Sequence, residues 1–160
     1  MRAQKGFTLV EILIVVVILG ILAAIVIPQF TNASTEAQTS SLCADLQTMR
    51  SQIELYKIQH TDQLPPIIYA DFVKAMTGCT LKDGTLDVVA GTAGALGPYM
   101  QKIPSNPFIA LPANRTKIDF SVTAPTAGTS DCGWWMHTGT GEFRANDNYK
   151  DSAGVGHSGL

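Results

Sequence analysis

Charge is scarce in this sequence of 160 residues: Lys and Arg number 11 and Asp and Glu 13, so only 15% of side chains are charged. With a net charge of −2 and no basic stripe, no surface is built to track nucleic-acid phosphates. Cysteine is also sparse. Cys43, Cys79 and Cys132 form no C-x-x-C pair, and His60, His137 and His157 do not complete a zinc-ligand spacing with them. No nucleophile–base arrangement can be read either, so nothing points to an enzyme. Two further absences are local. Glycine and proline are missing from Phe30 to Gln63, which leaves nothing there to break a helix. Basic residues are missing between Lys5 and Arg50, so the early positive charge all lies ahead of the first apolar run.

That run is where the hydrophobic excess sits. From Phe7 to Ile27 the one ionisable side chain is Glu11. A helix of this length spans about 30 Å, the hydrocarbon thickness of a bilayer. Arg2 and Lys5 precede it, so the positive-inside rule keeps the amino terminus cytoplasmic and puts the carboxy-terminal part outside the cytoplasm. A cleaved secretory signal is disfavoured: its apolar region is usually shorter, and Ala23-Ala24, the one cleavage-like site, falls inside the run.

Pro28 interrupts the run, and apolar residues then return at Leu42, Leu46, Met49, Ile53 and Tyr56. The alternating steps of four and three mark one stripe of an amphipathic helix. The pattern predicts one long helix from about Phe7 to His60, apolar all round in its first half and one-sided in its second. Gly20 and Pro28 both weaken a helix, so the segment between them is expected to bend or stretch. Leu64-Pro65-Pro66 ends it. A second helix is expected over Tyr69–Thr77, stopped by Gly78, and a short strand around Leu86–Ala90. Lys117–Thr123 alternates, with Ile118, Phe120 and Val122 on one face. Trp134–His137 and Glu142–Ala145 flank Thr138-Gly139-Thr140-Gly141 and read as a hairpin. Of Trp134 and Trp135, strand alternation places one in the core. The expected fold is therefore α+β: a long amino-terminal helix packed on a small antiparallel sheet. The tail from Asp151 to Leu160 reads as disordered.

Lys5-Gly6 followed by Phe7-Thr8-Leu9-Val10-Glu11 and an apolar run ending in Pro28 resembles the class III signal of type IV pilin-like proteins, the pilins and the pseudopilins of type II secretion systems. Asp45-Leu46, Leu55-Tyr56-Lys57 and Leu64-Pro65 look like the helix exit of major pseudopilins. Gly97-Pro98-Tyr99 through Ile103-Pro104-Ser105-Asn106-Pro107-Phe108 resembles the loop after their second helix.

The resemblance implies domains of 1–6 (leader), 7–28 (membrane and filament-core helix) and 29–160 (periplasmic globular domain). It implies cleavage after Gly6 by a prepilin peptidase, methylation of the new amine on Phe7, and a helical homopolymer served by minor pseudopilins and an inner-membrane assembly platform. Lipid would surround the helix before assembly. Glu11 corresponds to the family's filament acid, and Gly20 and Pro28 to its helix-loosening residues. An ionised carboxylate at membrane depth costs about 2.5–3.5 kcal/mol even on lenient scales. Glu11 therefore either snorkels to the cytoplasmic face or pairs with the mature amine of a neighbouring Phe7.

Beyond residue 110 the chain departs from major pseudopilins, and their aspartate-rich calcium loop has no clean counterpart. Asn146-Asp147-Asn148 with Asp151 offers oxygen ligands, read as a solvated polar turn or, alternatively, a calcium site. In an oxidising compartment Cys79 and Cys132 form a disulfide, or all three thiols are buried. The expected role is a pseudopilin, with a type IV pilin for adhesion, motility or DNA uptake as the alternative. A tethered binding module that never polymerises is a third reading.

Overall fold

The computed structural model describes residues 6–126, 131–150 and 154–159. Helix α1 runs over Leu9–Gln59, α2 over Tyr69–Thr77, and strands β1, β2 and β3 over Ile118–Ser121, Trp134–His137 and Phe143–Ala145. The chain divides into two compact units, one ending at Gln38 and one beginning at Thr39.

In the first unit α1 stays helical through both Gly20 and Pro28. Among the described residues it is the helix long and apolar enough to cross a membrane, and its most apolar stretch is fully unburied. After Pro28 two threonines bond back along the helix: the Thr31 hydroxyl donates to the Ile27 carbonyl and Thr35 to the Thr31 carbonyl, each at 3.1 Å.

The second unit is built on the predicted stripe. Leu42, Leu46, Met49, Ile53 and Tyr56 are all buried, each contributing about 1.5–3 kcal/mol by burial. They share one core with Phe72 and Met76 of α2 and Ile118, Trp134 and Phe143 of the sheet. The helix and sheet thus cover each other's apolar faces. At the end of α1 the Asp62 amide donates to the Lys57 carbonyl at 2.8 Å, with Thr61 left-handed at φ 56°. This is a Schellman exit without its usual glycine. His60, at the turn, is buried, stacked 3.7 Å from the Tyr56 ring, and hydrogen bonded through Nε2 to the Thr80 hydroxyl at 2.9 Å. Helix α2 has the predicted bounds.

The sheet order is β1-β2-β3. The β2–β3 hairpin is antiparallel as expected, Trp134 facing Ala145 and Met136 facing Phe143. The expectation of an all-antiparallel sheet is corrected: β1 pairs with β2 in parallel, Ile118 facing Trp134 and Ser121 facing His137. The start of β2 thus lies beside the start of β1, the arrangement that a long connection between parallel neighbours permits. Gly133 fixes where β2 begins. Its amide donates to the Asn114 carbonyl at 2.9 Å, and a Cβ on it would lie 2.1 Å from the Arg115 carbonyl oxygen. Strand β1 stops at Ser121, so Val122 falls past its end and is exposed. The strand expected around Leu86–Ala90 reduces to a single bridge between Cys79 and Val88.

Both tryptophans are buried, and one of them lies in the core cluster, as strand alternation predicts. Trp134 lies in the core and donates from Nε1 to the Pro104 carbonyl at 2.9 Å. Trp135 is on the opposite face, donating to the Ser121 hydroxyl at 2.8 Å, with the Arg144 guanidinium 5.8 Å above its ring. The expectation of a disordered tail is corrected over residues 154–159: His157–Gly159 forms a 3-10 turn with His157 fully buried.

Candidate functional site

The amino-terminal site begins at an open junction. Gly6 and Phe7 precede the helix and are exposed, Phe7 by 76%, and nothing stands within 4 Å of a Cβ placed on Gly6. Thr8 then starts α1. Its hydroxyl accepts from the Glu11 amide at 3.3 Å, while Glu11 Oε2 accepts from the Thr8 amide at 3.3 Å. The Thr8 hydroxyl also lies 3.4 Å from the same carboxylate oxygen. These reciprocal bonds form a capping box, which satisfies amide donors that a helix start leaves orphaned. Glu11 additionally places negative charge at the positive end of the helix dipole. Sequence reasoning missed this role, although T-x-x-E at the head of an apolar run is its signature.

Gly20 has no neighbour within 4 Å of a would-be Cβ, so nothing in this unit requires a glycine there sterically. Pro28 lies inside α1 and lacks an amide hydrogen, so the Ala24 carbonyl loses its donor four residues on.

The remaining predicted site residues lie in the second unit. Cys79 sits at the bridge to Val88, whereas Cys132 lies ahead of β2 beside the Asn114–Arg115 turn. Each is half-buried. Cys43 is likewise a half-buried thiol. Asp147 is not a solvated turn residue: it is 3% exposed. Asp151, its expected partner, lies outside the described residues. Among the described residues no group of three His, Cys, Asp or Glu side chains stands close enough to share a metal ion.

Asp147 is instead the acceptor for three donors. Its Oδ2 accepts from Asn106 Nδ2 at 2.7 Å, and its Oδ1 accepts from the Tyr149 amide at 3.0 Å and His157 Nδ1 at 2.9 Å. Asn106, also fully buried, donates to the Gly133 carbonyl at 2.9 Å and accepts from the Phe108 amide at 2.9 Å. Nothing in the spacing of these residues announces the cluster. It is assembled by the parallel return of the sheet.

Residues 1–27 match the family model described as the prokaryotic N-terminal methylation motif. The chain is 42% identical over 59 residues to type II secretion system core protein G of Pseudomonas aeruginosa, covering 37% of this chain and 42% of that protein. It is 42% identical over 89 residues to the type IV major fimbrial protein FimA of Dichelobacter nodosus, covering 56% of this chain and 52% of that one. A fimbrial protein of Pseudomonas aeruginosa is 44% identical over 54 residues, 34% of this chain and 35% of that one. The chain thus spans about half or less of the length of these relatives. No solved structure matches it. The methylation motif and the partial matches make the chain similar to pseudopilins and pilins, and the α+β architecture agrees with that likeness. None of these relatives is named as an enzyme.

Proposed function

We propose that the chain is a structural subunit of a pilus-like filament, a pseudopilin of a type II secretion-like machine, assembled through the apolar half of α1. The observation that carries this reading is the wholly unburied apolar stretch of α1, whose one acid is paired, among the described residues, with Thr8 of its own helix start, beside an exposed Gly6–Phe7 junction. Cleavage there by a prepilin peptidase, followed by methylation of Phe7, creates a cationic amine one helical turn from Glu11. In a neighbouring copy that amine neutralises a carboxylate that hydrocarbon solvates poorly. The acid then favours assembly over dispersal in lipid. Before assembly the helix anchors the subunit in the inner membrane with the second unit in the periplasm, consistent with Arg2 and Lys5 ahead of the run. Minor pseudopilins and an assembly platform complete the machine.

Intact-mass measurement of protein recovered from filaments tests the processing: the mature chain begins at methylated Phe7. Recovery of assembled protein that keeps Met1 overturns it.

The 89-residue match to a fimbrial protein favours a second reading, a type IV pilin of a surface filament. Deleting the gene separates the two. Loss of a pseudopilin strands secreted proteins in the periplasm, whereas loss of a pilin removes surface filaments and leaves secretion intact.

A further inference from the structure

The fold family implies calcium in the carboxy-terminal loop of many major pseudopilins, and Asp147 is the carboxylate here that such an ion would need. Its surroundings have the wrong polarity for that role. A calcium ion requires six to eight oxygen ligands at about 2.3–2.6 Å. The groups aimed at Asp147 are N–H donors instead: Asn106 Nδ2, the Tyr149 amide and His157 Nδ1. A carboxylate only accepts, so the His157 proton on this side sits on Nδ1.

We infer that His157 takes the place of a cation, and that the Asp147–His157 pair is a metal-free clasp fastening residues 154–159 to the folded domain. The imidazole is fully buried and packs as one corner of a three-ring cluster with Phe108 and Tyr149. Its ring centre lies 4.5 Å from that of Phe108, and 5.8 Å from that of Tyr149 in a stacked arrangement. The backbone repeats the attachment, His157 donating its amide to the Tyr149 carbonyl at 3.1 Å and Lys150 bridging to Gly156. Asn106 ties the clasp to the start of β2 through the Gly133 carbonyl. One atom is left over. His157 Nε2 is buried with no hydrogen-bond partner among the described residues. A buried polar atom in that position lowers the net gain of closure, so the clasp depends on the Asp147 bond and the ring contacts.

The test is hydrogen exchange read by mass spectrometry on the full chain in detergent micelles, with excess calcium and with EDTA. In the wild type, exchange over residues 154–159 is the same in both. His157→Phe keeps a ring packed on Phe108 and Tyr149 but removes the donor, and speeds exchange there about tenfold or more, the scale of a lost hydrogen bond to a charged group. Peptides from Leu42–Tyr56 stay protected in the same sample, which separates an opened clasp from an unfolded domain. His157→Gln restores an N–H donor and recovers part of the protection; it also serves if the phenylalanine variant does not fold. Unchanged exchange in either variant overturns the clasp. So does tightening of the segment by calcium in the wild type, which would return Asp147, with Asp131 across the adjoining cleft, to a cation.

Discussion

Thr8 and Glu11 cap each other across one helical turn, each side chain bonding the other's backbone amide at 3.3 Å. Glu11 therefore serves the start of α1 as well as any partner subunit, and the two roles can be separated by substitution. Glutamine at position 11 retains the acceptor a capping box needs but carries no charge. Glu11→Gln is expected to leave the helix start protected from hydrogen exchange while abolishing filament yield. Thr8→Ala loses the cap, about 1 kcal/mol, and loosens the first turn. Normal filament yield from Glu11→Gln would refute the charge-pairing role.

Periodic features were legible before any coordinates. The 42-46-49-53-56 stripe, the bounds of α2 and the β2–β3 hairpin each follow from local repeats or turn chemistry, and each is present. The parallel β1–β2 pairing was not legible, because it depends on which end of β1 the start of β2 meets and on the close approach of Gly133 to Arg115. A glycine in the loop-like run Asp131-Cys132-Gly133 carries no such message. The Asp147–His157 pair was hidden for a related reason: a single polar contact across the fold has no period. The Thr8–Glu11 box was legible, but the apolar run drew attention to the acid's membrane depth and away from its helix position.

Gly133 is the position least able to accept a side chain. Even one methyl group would meet backbone, the Arg115 carbonyl oxygen at 2.1 Å and its carbon at 2.8 Å. Backbone cannot swing aside as a side-chain tip can, so the β1–β2 start must separate. Gly133→Ala is expected to cost about 3 kcal/mol or more, read as a lowered midpoint in urea. Gly20→Ala, which meets nothing, should leave that midpoint unchanged.

Thr61 offers the opposite case. Its φ of 56° places a β-branched residue in the left-handed region, where a Cβ costs about 1–2 kcal/mol. Glycine is the usual residue at that point of a Schellman exit. Thr61→Gly should thus stabilise the protein by about 1 kcal/mol after the extra unfolded-state entropy of glycine is subtracted. Thermal unfolding at fixed pH measures it, and a lowered Tm would show that the Thr61 side chain matters more than its strain.

Asp45 gives stability a pH dependence whose sign can be worked out. Desolvation beside the buried stripe raises its pKa above the usual 3.8, only partly offset by the attraction of Lys102. The folded state then holds the proton more tightly than the unfolded chain. Stability from this group is greatest at acid pH, and it declines as pH rises through the raised carboxylate range. Asp83 acts in the other direction. A hydrogen bond from the Thr85 amide lowers its pKa, so its contribution is present above pH 3.8 and is lost as pH falls. Asp45→Asn should accordingly raise Tm at neutral pH and flatten the slope just above the normal Asp range, while leaving the acid limb set by Asp83 in place. A lowered Tm at neutral pH would mean that the pairing with Lys102 outweighs the cost of burial.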